Sequence, residues 1–346
     1  PRWARESRSI PPRARTTTSR PSAALRQHVE RGAVEMTSGS VSTVMMSVAS
    51  DWSHGRLESI KGGSTLAVVI PALNEEGTIG QVVSAIAAEL GELVDELVVM
   101  DSLSSDRTAA VATDAGARVH SVADVRPDLG VHPGKGEALW KSQFVTSADV
   151  VAFIDADLTE WGTHFVRGVV GPLLADPQVV LCRGFYDRVL DIDGDVTLEG
   201  GRVTELVARP WLTLFRPELG SMVQPLAGEW AIRRDVFEQL HVPIGYGVEF
   251  STLLDVCDEW GIDSIAQVDL GRRAHRHQNI HDLSVMAVEI LATAERRRAR
   301  PAGPAATDSF SADVQLARLS EHRQWSYRAL PLTERPPAST YVDAAD

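Results

Sequence analysis

Asp155 and Asp157 stand one residue apart where the apolar run Val150–Ile154 stops. A carboxylate pair at a strand end can bind Mg2+ or Mn2+ while the metal keeps sites for phosphate oxygens. The same D-x-D tripeptide also fits a solvated turn, so its neighbours matter. Pro71–Glu76 (PALNEE) follows another apolar run. Its Asn74 and Glu75 can reach a ribose or a base, while Thr78 also suits an ordinary strand-to-helix turn. In His132–Glu137 (HPGKGE), Gly134 and Gly136 flank Lys135. That arrangement fits either a loop approaching a phosphate or a flexible turn, and neither GxxxxGK[ST] nor GxGxxG is matched.

Three more segments carry charge in useful places. Gly200, Gly201 and Arg202 lead into a helix expected over Thr204–Leu214, whose free N–H groups beside Arg202 suit a phosphate or carboxylate. A flexible helix start is the blander alternative. In Arg272–His277 (RRAHRH), extended backbone would point His275 and His277 the same way, as metal ligands two apart do. Arg273 and Arg276 could contact phosphates there. Glu249 opens an amphipathic helix, where an acid is also favoured by the helix dipole alone. Asp191–Asp195 (DIDGD) lacks the later residues of a calcium loop and reads as a polar loop.

The elements that must position these residues follow from hydrophobic periodicity. Leu66–Ile70, Glu96–Met100, Arg118–Ser121 and Val150–Ile154 read as strands, with another over Ile265–Leu270. Thr78–Leu90, a segment capped by Asp106 and running to Ala115, and Gly136–Val145 read as helices. Such alternation means an α/β fold with a mainly parallel sheet and right-handed crossovers. Ligands in these sheets bind at the carboxyl ends of strands, where the Pro71, Asp101-Ser102 and Asp155 segments fall.

Bulk properties narrow the class. The chain has 346 residues and a net charge of −13, and its two cysteines, Cys182 and Cys257, have no zinc or disulfide spacing. A reducing, cytoplasmic setting is the expectation. No apolar run reaches the length of a membrane span. Residues 1–35 hold eight arginines against three glutamates, so residues 36–346 carry about −18. Such a body repels nucleic acid, and a phosphorylated substrate needs a local basic pocket. Residues 1–50 lack periodicity and are expected to be disordered. Because Pro1 is no initiator while Met36, Met45 and Met46 follow, residues 1–35 are expected to lie upstream of the true start. A globular domain is expected over 51–300, with a nucleotide-binding half near 64–160 and an acceptor half near 161–300. Residues 301–346 are expected to be a flexible tail.

The segments VVIPALNEEGTIG, VVMDSLSSDRT, PGKGEALWKS, FIDADL, GGRVTELVARP, LAGEWA, GYGVE and AQVDLGRRAHR together resemble the glucosyl-3-phosphoglycerate synthase family, retaining GT-A glycosyltransferases of actinobacteria. The similarity is collinear from about residue 52 to 295. It implies a Rossmann-like GT-A fold and transfer of glucose from UDP-glucose to the 2-hydroxyl of 3-phosphoglycerate, feeding methylglucose lipopolysaccharide synthesis. By position, it implies that Pro71, Ala72, Leu73, Asn74, Glu75 and Ser102 hold uridine. Lys135, Asp155, Ala156, Glu249 and Arg273 would meet the nucleotide-sugar, with Lys135, Asp155 and Glu249 closest to the chemistry. Leu226, Ala227 and Gly228 would line the sugar pocket. Gly201, Arg202, Thr204 and His277 would take the acceptor, and Asp157 and His275 would hold Mg2+ or Mn2+. A homodimer is implied as well.

Three departures from the family pattern stand out. His277 replaces a common Asn, SLSSDR replaces a glycine-containing run, and DAD replaces DSD. Mannosyl transfer from GDP-mannose to the same acceptor is an alternative. So is an inverting transferase acting on a polyprenyl phosphate, although GGRVTEL and the lack of a membrane-spanning tail disfavour it. A non-catalytic nucleotide-sugar-binding protein is disfavoured by the retained aspartates, Lys135 and His275.

Overall fold

The computed structural model describes residues 44–192, 195–197, 201–274, 280–299, 311–319 and 323–342. Its strands are β1 (Met45–Val48), β2 (Leu66–Ala72), β3 (Glu96–Asp101), β4 (Arg118–Ser121), β5 (Val150–Phe153), β6 (Leu181–Ile192), β7 (Asp195–Thr197), β8 (Trp230–Arg233), β9 (Val242–Pro243), β10 (Ile265–Ala274), β11 (Ser311–Leu319) and β12 (Trp325–Arg335). The helices that matter below are α1 (His54–Lys61), α2 (Ile79–Leu90), α3 (Thr108–Asp114), α4 (Lys135–Ser142), α5 (His164–Ala175), α6 (Arg209–Phe215), α7 (Val248–Trp260) and α8 (Ile280–Ala299).

The main sheet runs β1-β10-β6-β8-β5-β2-β3-β4, with β7 paired to the end of β6. All neighbours on this path are parallel except β8, which is antiparallel to both β5 and β6. The expected α/β architecture is thus found, with one reversed strand inserted. β2 is buried almost throughout because both its faces are covered, which explains its unbroken apolar run. On α2, the buried residues Ile79, Val82, Val83, Ile86 and Leu90 are those whose spacing predicted the helix. One face of the sheet packs Phe165, Val169 and Trp52, and the other packs Trp140, Phe153, Trp230 and Phe250. Full burial of each such side chain stabilises the fold by about 1.5–3 kcal/mol.

The strand order fixes where a ligand can enter. From β2 the chain moves to β3 on one side, whereas β5 returns to the other. The crevice beyond the carboxyl ends of β2 and β5 is therefore the switch point of the sheet.

Several expectations need correction. The helix expected over Thr204–Leu214 is present, but its first part, Thr204–Ala208, has π spacing before it continues as α6. Pro210 has no N–H to donate back into that turn, which favours the wider spacing. Residues 45–50, expected within a disordered segment, form β1 and most of a 3-10 turn that ends at Asp51, with β1 parallel to β10. DIDGD spans the ends of the β6–β7 hairpin, with 193–194 outside the described residues.

The flexible tail expected over 301–346 is contradicted by β11, β12 and a helical turn at Ser339–Val342. β12 pairs with β11 and, through Glu334 and Arg335, with β9. Arg335 grips the fully buried Glu137 of α4 at 2.7 and 2.6 Å, and Trp140 Nε1 donates to the Pro336 carbonyl at 2.8 Å. Glu334 pairs with Arg297, which also holds Asp255 of α7 at 3.0 Å. The anchors are charged residues that a hydrophobicity pattern reads as solvent-facing, so the segment looks coreless in sequence.

Candidate active site

At the end of β2, Asn74 adopts φ 57°, a left-handed conformation that asparagine tolerates. Its side-chain oxygen accepts from Ser105 N at 2.8 Å, and its own N–H donates to Ser104 Oγ at 3.0 Å. Glu75 N donates to Thr108 Oγ1 at 2.7 Å, and Ser102 N to the Ala72 carbonyl at 2.8 Å. The two loops after β2 and β3 are therefore stitched into one rim. Leu73 and Leu103 are both more than half exposed there. Leu103 has φ 67°, a conformation costing about 1–2 kcal/mol in a residue with a Cβ. This is the position where SLSSDR replaces a glycine-containing run. Asp101 is buried at the same rim, with Oδ2 accepting from Ser104 N at 3.2 Å.

The glycines around Lys135 have a different job from the one expected. A Cβ on Gly136 would lie 1.8 Å from the Pro243 carbonyl oxygen, and one on Gly134 would lie 2.3 Å from that of Ile244. Gly136 N and Glu137 N donate to the Gly245 and Ile244 carbonyls. The start of α4 is thus pressed against the loop leading into α7, and these N–H groups are spent on the chain. Lys135 alone projects into the rim.

There it bridges two carboxylates, Asp155 Oδ1 at 2.6 Å and Glu249 Oε1 at 2.7 Å. Burial by itself would favour neutral lysine, but Asp155 and Glu249 outweigh it and hold the ammonium well above its usual range. Burial would likewise raise Asp155, yet Lys135 and then Arg273 hold it well below the usual carboxylate range.

Arg273 lies across the site. Nη2 donates to Asp157 Oδ1 at 2.9 Å and Asp155 Oδ2 at 3.3 Å, while Nη1 donates to Glu229 Oε1 at 2.7 Å and the Tyr186 hydroxyl at 2.6 Å. A bulge in β10 puts it there. The β10–β6 register shifts between Asp269 and Arg272, and Gly271 has φ 83°. The extra residue moves Arg273 from the face shared by Ile265 to the face of Tyr186. Strand pattern alone would have ended this strand at Leu270.

Gly228, expected in the sugar pocket, lies directly against Asp155. A Cβ there would sit 2.2 Å from Oδ2. The antiparallel pairing of Phe153 with Trp230 sets this approach. Behind it, the fully buried Arg183 stacks on Trp230 at 4.4 Å and donates to the Glu249 carbonyl at 2.5 Å, pinning the first turn of α7. Burial pushes its pKa down to about 10.

Lys135, Asp155, Asp157, Glu249 and Arg273 thus form one connected ionic network. Pro71–Glu75 and Ser102 line the adjoining rim, and Ala156 lies buried between the two aspartates. Gly201, with φ 84°, and the buried Thr204 lead into α6, whose Trp211 packs edge-on against Phe250 at 5.7 Å. The Gly201–Thr204 segment therefore adjoins the helix that bears Glu249, Leu226 packs against the same core, and Ala227 is fully buried. His275 and His277 lie outside the described residues. Glu229, Tyr186 and Arg183 were missed. The only sequence signal was a charged residue inside each apolar run, at Glu229 and Arg183.

The network has four carboxylates (Asp155, Asp157, Glu229, Glu249) against two cations (Lys135, Arg273), a formal charge of −2. Partial burial and then the neighbouring Asp155 raise the Asp157 carboxyl above its usual range. Asp157 is also about one-third exposed, more than any other acid of the network. A divalent cation on Asp157 fits both the charge and the opening. A separate group, His54, Glu58 and Glu92, brings ligand atoms within 4.8 Å on the surface, away from the strand ends that carry this rim. Among the described residues, no helix is long and apolar enough to cross a membrane.

Residues 67–240 match the glycosyl transferase family 2 model. Over 247 residues the chain is 49% identical to a glucosyl-3-phosphoglycerate synthase of Mycobacterium tuberculosis, covering 70% of this chain and 76% of that protein. The corresponding protein of Petrotoga mobilis is 43% identical over 258 residues, covering 70% and 79%. A crystal structure of the M. tuberculosis glucosyl-3-phosphoglycerate synthase in complex with Mn2+, UDP-glucose and phosphoglyceric acid superimposes with a TM-score of 0.76 at 41% identity, covering 86% of this chain and 99% of that one.

Proposed function

The chain belongs to the glucosyl-3-phosphoglycerate synthases of glycosyl transferase family 2, and from that membership we propose that it transfers glucose from UDP-glucose to 3-phosphoglycerate. The observation that carries this reading onto the chain's own atoms is the single ionic network at the switch point of the sheet. Residues from four separated motifs converge there.

In this reading the Pro71–Glu75 and Ser102 rim takes uridine, with Asp101 beside it. Lys135 and Arg273 face the diphosphate. Asp157 holds a divalent cation, and when bound that ion neutralises charge on the leaving diphosphate. Asp155, gripped by Lys135 and Arg273, acts as the girder that aims both cations rather than as a ligand. Leu226, Ala227 and Gly228 bound the sugar. The Glu249 carboxylate accepts from Lys135 and is shaped to orient the sugar hydroxyls. Gly201, Arg202 and Thr204 bind the acid and phosphate ends of the acceptor, bringing its 2-hydroxyl to the donor and supplying proximity and orientation. The protein acts in the cytoplasm, and the family resemblance favours a homodimer.

The test is direct. Purified protein with Mn2+ and 3-phosphoglycerate is offered UDP-glucose, GDP-glucose or GDP-mannose in parallel, and products are identified by mass spectrometry and anomeric NMR. Glucosyl-3-phosphoglycerate of retained configuration is expected. Exclusive use of GDP-mannose, or transfer only to a polyprenyl phosphate, would overturn the assignment.

A further inference from the structure

Arg273 has two opposed sets of partners. Nη2 reaches outward to Asp157 and Asp155, while Nη1 makes its short contacts inward to Glu229 and Tyr186 and only a long one, 3.4 Å, to Asp155. Glu229 is fully buried and Tyr186 nearly so, and the Tyr186 ring stacks on Phe165 with centroids 6.0 Å apart. The inward pair is therefore rigid. The outward contact is to Asp157 Oδ1, on the carboxylate that the proposed function gives to the divalent cation. A guanidinium and a metal ion compete for such an oxygen.

We propose that Glu229, assisted by Tyr186, is a positioning residue that anchors Arg273 from the inner side, so that the guanidinium can yield its 2.9 Å contact with Asp157 to a divalent cation. Neutralising Arg273 does not by itself require Glu229, because Asp155 and Asp157 already face the same guanidinium. Nor can Lys135 balance Glu229, since it is occupied by Asp155 and Glu249. A buried carboxylate costs desolvation, and here it sits where it gives Arg273 an alternative partner. With Glu229 present, the guanidinium stays paired when Asp157 turns to a cation. Without it, the inward side keeps only the neutral Tyr186 hydroxyl at 2.6 Å, the contacts to Asp155 are long, at 3.3 and 3.4 Å, and Asp157 becomes the closest carboxylate left.

This inference rests on Asp157 being the metal ligand, and one experiment separates the two. Mn2+ alone is titrated into the full-length protein, and free Mn2+ is read by electron paramagnetic resonance. Wild type is compared with Asp157→Asn, Glu229→Gln, Arg273→Gln and the Glu229→Gln/Arg273→Gln double variant. Glu229→Gln should weaken Mn2+ binding about tenfold, the scale on which the partners of metal-site residues tune affinity. On the Arg273→Gln background the same change should have no further effect. Equal affinity in wild type and Glu229→Gln overturns the inference. So does a loss that persists without Arg273, which would mark a through-space charge effect. Mn2+ binding unaffected by Asp157→Asn overturns the metal reading, and this inference with it. Should Glu229→Gln fail to fold, Tyr186→Phe keeps the ring stack and decides. A smaller loss in the same direction is expected, and wild-type affinity overturns the proposal.

Discussion

Gly228→Ala is the sharpest test of how the site is built. A Cβ at this position would stand 2.2 Å from Asp155 Oδ2 and 2.6 Å from both Cγ and Oδ1, whereas real Cβ contacts essentially never fall below 3.0 Å. The carboxylate must therefore retreat by at least about 0.8 Å. A free aspartate would do so cheaply, but this one is held by Lys135 at 2.6 Å and Arg273 at 3.3 Å. A retreat of that size takes the Arg273 contact beyond hydrogen-bonding distance and strains the Lys135 contact. Both cations lose their common support. Misplacement near 1 Å costs about a hundredfold in turnover, or roughly 2.7 kcal/mol of transition-state stabilisation. Overpacking should lower stability by about 1–3 kcal/mol, leaving a folded protein. Steady-state kinetics with UDP-glucose and 3-phosphoglycerate, alongside thermal unfolding, measure both quantities. A folded Gly228→Ala variant with wild-type kcat would refute the idea that Asp155 aims the two cations.

Lys135→Met should leave Asp155 and Glu249 facing each other without their shared cation, costing about 3 kcal/mol at neutral pH, the low end for breaking a buried pair. Because Asp155 is depressed in the folded state, its contribution is present above the unfolded value of about 3.9 and is lost as pH falls below it. Urea unfolding from neutral pH down to about pH 3 should give a shallower acid limb for Lys135→Met than for wild type; parallel limbs would exclude Lys135 as the cause. Arg335→Leu should leave the buried Glu137 with Lys141, 3.7 Å away, as its remaining cation and destabilise the protein by about 3 kcal/mol, the low end for breaking a buried pair, seen as a lowered Tm. An unchanged Tm would mean that β12 does not clamp α4.

Much of this molecule can be read from local pattern. The apolar runs of β2, β3 and β5 and the spacing of Ile79, Val82, Val83, Ile86 and Leu90 specify a parallel sheet with covering helices, since burial on two faces or one leaves a periodic trace. Asp155 and Asp157 were legible because they abruptly end an apolar run, Lys135 because glycines flank it, and Arg273 because it sits in a basic cluster after a strand. What no local pattern could carry is which charge meets which. The bulge at Gly271, the reversed strand β8 and the approach of Gly228 to Asp155 arise from contacts between segments far apart in the chain, and they bring Glu229, Tyr186 and Arg183 into play. The docking of residues 325–342 was equally hidden. It depends on Arg335 meeting Glu137 and on Glu334 meeting Arg297, charged pairs whose burial exists only once the fold has closed around them.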